Sequence, residues 1–110
     1  MSETISYTQA FNKITEQMQS LYYDKNRDYG NSFAVTWEKL GPISGLTRMS
    51  DKFNRLCSLM TSEHGPCVKS ESIEDTLMDL ACYSVMAIIE MQKDRKALNV
   101  KSVSYTHLRA

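Results

Sequence analysis

Four segments of the chain repeat apolar residues every three or four positions, the spacing of one face of an α-helix. The segments are 4–24, 33–40, 43–63 and 70–97. No part of the chain shows the strict alternation of apolar and polar residues that is typical of a half-buried strand. The pattern therefore predicts an all-α fold with three main helices and one short helix.

Turn-forming and capping residues set the limits of these segments. Ser2 or Thr4 can cap the first helix. The stretch KNRDYGNSF (25–33) breaks the apolar repeat, and Gly41–Pro42 ends the short helix. Gly65–Pro66 marks a loop before the last helix. Short connections of this kind favour an antiparallel helical bundle.

The residue pattern of the last helix predicts two faces with apolar residues. The expected core face carries a continuous apolar stripe. The other face begins with three acids, Glu71, Asp75 and Asp79, and then turns apolar. The stripe consists of Ile73, Leu77, Leu80, Ala81, Ser84, Ile88 and Met91, and the apolar continuation of the acidic face consists of Cys82, Met86 and Ile89. Since three helices with double-faced members close a core poorly, we expect a homodimer, or a higher oligomer, to complete the bundle.

The acids of the last helix are the strongest candidate for chemistry. Glu71, Asp75 and Asp79 follow one another at four-residue spacing, where like charges repel by about a few tenths of a kcal/mol per pair. A divalent metal ion or a basic helix would offset that repulsion, and carboxylate oxygens suit Mg²⁺ or Mn²⁺. The alternative is a solvated face whose acids are favoured near a helix N-terminus by the helix dipole.

The third segment carries a charged face beside its apolar stripe of Leu46, Met49, Phe53, Leu56 and Met60. Arg48, Lys52 and Arg55 could neutralise a polyphosphate, and Asp51 could add a metal ligand. The alternative is an exposed face with internal ion pairs that contribute little. Spacing alone favours that alternative.

The stretch KNRDYG (25–30) could form a loop over a ligand. Lys25 or Arg27 could then contact phosphate, and Tyr29 or Trp37 could stack on a base. The alternative, favoured by the pattern alone, is a turn that ends the first helix with Gly30 at positive φ.

Composition narrows the classes of function. The 110 residues suit one domain, and 13 basic residues balance 13 acidic ones, so we expect no direct nucleic-acid surface. Cys57, Cys67 and Cys82 lack metal-type spacing and suit buried thiols in a reduced, cytoplasmic protein. No membrane span and no secretory signal are predicted. Residues 103–110, VSYTHLRA, resemble a translated sequencing adapter, so the domain is expected to comprise residues 1–102.

Taken together, the motifs resemble one family. Their order is K-x-x-DYG (25–30), Trp37, G-x-x-R-x-x-DK-x-x-RL (45–56) and ESI-x-DTL-x-DLA-x-Y (71–83). This order resembles the nucleotide modification associated domain found largely in bacteriophages. That family is in turn similar to the all-α MazG-like and dimeric dUTPase pyrophosphohydrolases.

The resemblance implies a Mg²⁺-dependent hydrolase that converts a dNTP to dNMP and pyrophosphate, in phage nucleotide metabolism or DNA modification. It implies that Asp51, Glu71, Asp75 and Asp79 are metal ligands, with Asp75 and Asp79 central to catalysis. The substrate would be bound by Lys25, Tyr29, Trp37, Arg48, Lys52 and Arg55. The alternative is a non-catalytic module that binds a nucleotide or a modification enzyme. The MazG-like group carries paired glutamates where this sequence has only Asp51 among basic neighbours.

Overall fold

The computed structural model describes the backbone of residues 5–29, 31–61 and 66–101, and the side chains of residues 5–27, 31–61 and 72–96. These ranges contain four α-helices and no strand: α1 (Tyr7–Tyr29), α2 (Ser32–Leu40), α3 (Pro42–Thr61) and α4 (Pro66–Lys101). The all-α prediction is confirmed. The chain divides into two compact units, the first holding α1 and the second holding α2 to α4.

Helix α1 begins at a reciprocal cap. The Ser6 hydroxyl accepts a hydrogen bond from the Gln9 amide at 3.1 Å, and the Gln9 side chain accepts one from the Ser6 amide at 3.0 Å. This capping box satisfies two amides that the helix itself leaves without partners. The predicted caps Ser2 and Thr4 lie outside the described residues.

The predicted end of α1 at Asp24 is wrong, because the helix continues through Lys25 to Tyr29. Arg27 lies in the last turn, where a cation is favoured by the helix dipole, and its guanidinium is 3.6 Å from the Asp24 carboxylate. The predicted loop over a ligand is therefore helical up to Tyr29, and Gly30 lies outside the described residues.

Helices α2 and α3 are joined by one residue. Gly41 has a φ of 82°, and its amide donates to the Trp37 carbonyl at 2.7 Å, which closes α2 with a left-handed cap. Pro42 begins α3, where a missing N–H costs nothing. The limits predicted from Gly41–Pro42 are confirmed to within one residue.

The core of the second unit forms where α2 packs against α3 and α4. Its buried apolar side chains are Phe33, Trp37, Leu56 and Cys82. Gly45 of α3 is buried directly beneath the two aromatic rings. A Cβ at this position would lie 2.8 Å from Trp37 Cζ3 and 3.2 Å from Phe33 Cζ. A glycine is therefore required for α2 to approach α3 this closely.

The prediction of the core face of α4 is wrong in part. The side chains that pack inward include Thr76, Cys82 and Glu90, all buried. The stripe predicted as the core face instead exposes Leu77, Ile88 and Met91. The packed side of α4 lies between the two predicted faces and carries polar residues such as Thr76 and Glu90, so a search for apolar periodicity did not find it.

The apolar stripe of α3 is also only partly buried. Leu56 is buried and Met49 is half-buried, whereas Leu46, Phe53 and Met60 are exposed. Of the cysteines, Cys82 is buried as expected, but Cys57 is exposed and Cys67 lies outside the described side chains. Across the described ranges, no helix has an apolar stretch long enough to cross a membrane.

Candidate functional site

An ion pair joins the charged faces of α3 and α4. Lys52 Nζ lies 3.1 Å from Asp79 Oδ2, and the two side chains are 28% and 23% exposed. The pair is thus sheltered but still reached by water. The prediction placed Lys52 and Asp79 in one site, and the structure does bring them together.

A second polar contact lies one turn further along. Arg55 Nε donates to Thr76 Oγ1 at 3.3 Å, and the Thr76 hydroxyl donates to the Ser72 carbonyl at 2.7 Å. Thr76 is only 3% exposed. The hydroxyl therefore orients the guanidinium of Arg55 while its own proton is held by the backbone of α4.

Arg48 completes the row through aromatic contacts. Its guanidinium carbon lies 5.7 Å from the centre of the Phe33 ring and 5.9 Å from that of Tyr83. The two rings stack with centroids 5.8 Å apart. Cation–π contacts of this kind hold an arginine in place while leaving its N–H donors available for an anion.

These contacts define what we name the charged face: Arg48, Lys52 and Arg55 of α3 opposite Tyr83, Asp79 and Thr76 of α4. Residue numbers rise along α3 as they fall along α4, so the two helices are antiparallel. The spacing of four and three residues on both helices keeps the row on one side of each.

The predicted metal ligands are not all placed by the structure. Asp79 is bound to Lys52, whereas Asp75 and Asp51 are exposed, and the side chain of Glu71 lies outside the described residues. Among the described side chains, no group of three or more His, Cys, Asp or Glu residues is positioned to hold a metal ion. The four-ligand site stays a prediction.

Trp37 has a structural role in this conformation. It is 4% exposed, stacks on Phe33 with centroids 6.0 Å apart, and donates from Nε1 to Asp94 Oδ2 at 2.9 Å. To stack on a base, its ring would first have to be uncovered. The other predicted stacking residue, Tyr29, has a side chain outside the described residues.

Lys25 lies on an exposed position of α1, within the first unit. Near it, Tyr23, Asn26 and Arg27 line an open depression of about 410 Å³. The Asn26 amide donates to the Tyr22 hydroxyl at 3.4 Å.

Sequence reasoning assigned no contact to Thr76 and Tyr83, which organise the charged face, or to Asp94, which accepts the hydrogen bond of Trp37. One side of α4 carries seven residues in steps of three or four, of which the first six are buried or half-buried: Ser72, Thr76, Asp79, Tyr83, Met86, Glu90 and Asp94. That spacing is helical, but five of the seven residues are polar or charged. A search for apolar periodicity passes over such a stripe, whereas a search for any three–four repeat that includes a threonine and a tyrosine would find it.

The geometry defines a class: a small all-α domain in which two antiparallel helices face each other through matched charges, with a short aromatic helix packed beside them. A comparison with family models matches residues 25–91 to Nucleotide modification associated domain 1. The chain belongs to this family, as the motif order predicted. No curated protein and no solved structure gives a significant match.

Proposed function

We propose that the chain binds a nucleotide at the charged face and hydrolyses it, as a Mg²⁺-dependent phosphohydrolase that converts a dNTP to dNMP and pyrophosphate. The setting would be nucleotide metabolism or DNA modification in the cytoplasm of a phage-infected cell. Family membership supports the link to nucleotide modification. The observation that carries the proposal is the row of three basic side chains on α3, set opposite Asp79 within the matched segment.

The row offers a polyphosphate three cations at one-turn intervals. Arg48 and Arg55 are oriented by an aromatic pair and by a hydroxyl, and guanidinium groups bind phosphate with two parallel hydrogen bonds. Lys52 would exchange the Asp79 carboxylate for a phosphate oxygen, which releases Asp79 at the same moment.

The carboxylates fit the metal in their chemistry. Mg²⁺ is usually bound by one or two carboxylates together with substrate phosphates and water. Asp75 and the released Asp79 are one turn apart on α4 and can supply that pair. When bound, the ion would supply charge neutralisation for phosphoryl transfer.

The test is a screen of the chain against natural and modified dNTPs, with and without Mg²⁺. We expect a raised thermal midpoint, since a ligand that binds only the folded state stabilises it, and release of pyrophosphate with Mg²⁺. Asp75→Asn should abolish release and keep binding. Asn54→Ala, an exposed change on α3, is the control that should alter neither. A well-folded chain that neither shifts nor turns over any dNTP contradicts the proposal.

A second candidate function is nucleotide or partner binding without hydrolysis. The Lys52–Asp79 pair favours it, because Asp79, the most sheltered of the predicted ligands whose side chains the structure describes, already has a cation. If this candidate is correct, nucleotides stabilise the protein equally with and without Mg²⁺. Asp75→Asn would then leave affinity unchanged, and no pyrophosphate would be released.

A further inference from the structure

The side of the α3–α4 pair away from the charged face is apolar and exposed. We name it the apolar face and define it by six residues, three on each helix. They are Leu46, Phe53 and Met60 of α3 and Leu77, Ile88 and Met91 of α4. None of the six carries a charge, and Phe53 is 58% exposed.

The six residues lie on one side of the helix pair. The Ser84 hydroxyl of α4 contacts Met49 Sδ of α3 at 3.7 Å. Ser84 lies on the same stripe of α4 as Leu77 and Ile88, and Met49 is beside Phe53 on α3 at about 100° per residue. The Ser84–Met49 contact therefore links the two stripes, while the Lys52–Asp79 pair lies on the opposite side.

We propose that a second copy of this chain docks on the apolar face. The pairing would place α3 and α4 of each copy against the same helices of the other, around a two-fold axis. Four helices would then enclose one apolar core.

The uncovered area matches what such a dimer needs. Each of the six side chains is about half exposed, which leaves on the order of 80–100 Å² uncovered per residue and about 500 Å² in total. A standard interface buries about 800 Å² per partner, of which about 65% is apolar in homodimers, or roughly 520 Å². The apolar face thus supplies the apolar share of one homodimer interface.

The spacing of the residues favours a helical occupant. Leu46, Phe53 and Met60 are each seven residues apart, the repeat by which near-parallel helices interlock their side chains. A second copy presents the same repeat on the same helix, so one surface satisfies both partners. Six apolar side chains can pack against the same six of another copy without any complementary charge.

The chain offers a matched pair of variants for the test. Ile88 belongs to the apolar face, whereas Ile89 is turned about 100° further round α4, away from it. The two side chains are 55% and 41% exposed, so each accepts a lysine without burying it in the monomer. We expect the full chain to sediment at twice the monomer mass at micromolar concentration. Ile88→Lys should sediment at the monomer mass, and Ile89→Lys should remain dimeric.

A second measurement does not depend on any variant. If the copies dock, the thermal midpoint of the unchanged chain rises with its concentration, because dissociation accompanies unfolding. A chain that is monomeric at tens of micromolar, or whose midpoint is independent of concentration, overturns the proposal. So does a dimer that Ile89→Lys breaks and Ile88→Lys leaves intact, provided both variants keep the helical circular dichroism of the parent.

Discussion

The charged face and the apolar face of the α3–α4 pair differ in the kind of interaction they can make. On the charged face, Lys52, Arg55 and Arg48 each have a partner across the helices. On the apolar face, Phe53 and Ile88 remain exposed. In most small domains the apolar side holds the helices together and the charged side faces water. Here directional contacts on the partly sheltered charged face join the two helices, and the apolar face is left for another surface.

This difference separates two sources of stability. The contacts within the unit stabilise it through ring packing, the close approach at Gly45 and hydrogen bonds, all of which depend on geometry. The apolar face can add stability only when its apolar area is removed from water, and this effect does not depend on direction. Substitutions on the two sides should therefore have very different effects on the isolated chain, and the following predictions run from the largest expected effect to the smallest.

Leu56 and Phe53 give the sharpest test of the comparison, because both lie on α3 and only Leu56 is buried. Leu56→Ala should lower the free energy of unfolding by about 2–5 kcal/mol, since it leaves a cavity. Phe53→Ala should cost less than about 1 kcal/mol at concentrations where the chain is monomeric. Urea unfolding followed by circular dichroism measures both. Equal losses would show that the two sides do not differ.

Gly45→Ala tests the close approach of α2. An alanine on a helix normally gains about 1 kcal/mol over glycine. At this position its Cβ would lie 2.8 Å from the buried Trp37 ring, so we expect a net loss of about 1–3 kcal/mol. The urea midpoint of Gly45→Ala should fall below that of Asn54→Ala, an exposed control on the same helix. A stabilised Gly45→Ala chain would mean that α2 does not pack here.

Asp94→Ala removes the acceptor of the Trp37 indole N–H. The indole is buried, so an N–H without a partner should cost about 1–3 kcal/mol. Asp94→Asn keeps an oxygen in the same place and should recover most of the loss. Tryptophan fluorescence during urea unfolding follows the same residue that is perturbed. Identical losses in both variants would rule out the hydrogen bond as the cause.

The Lys52–Asp79 pair should have the smallest effect. A double-mutant cycle with Lys52→Met and Asp79→Asn should give a coupling energy of about 0.5–1 kcal/mol, because the pair is still partly hydrated. The coupling should shrink as salt is raised from low to molar concentration. A coupling that is zero at low salt would show that the two side chains do not meet in solution.

Local chemistry predicted the limits of α2 well, since Gly41 and Pro42 act on the backbone wherever they occur. The extension of α1 to Tyr29 was missed because lysine, arginine and asparagine continue a helix without adding apolar residues. The core face of α4 was predicted wrongly in part for a different reason. Apolar periodicity finds a packed face only when that face is apolar, and the side of α4 that packs inward includes Thr76, Asp79 and Glu90.

The candidate site shows the same limit. The sequence placed Arg48, Lys52 and Arg55 on one side of α3 and Asp75 and Asp79 on one side of α4. Whether Lys52 meets Asp79 or leaves it to a metal ion depends on the register of the two helices, which no local pattern encodes. The structural burial of Trp37 was likewise invisible, because its partner Asp94 lies 57 residues away.

Gly41 is the single residue between α2 and α3, so the connection between the two helices is as short as it can be. An extra residue there would either loosen the bend or, if absorbed as another helical position, swing the arginines of α3 by about 100° around its axis. The contacts of Arg48 with the rings of Phe33 and Tyr83 thus depend on the length of this connection. An insertion at Gly41 should therefore disturb the contacts of Arg48 with Phe33 and Tyr83.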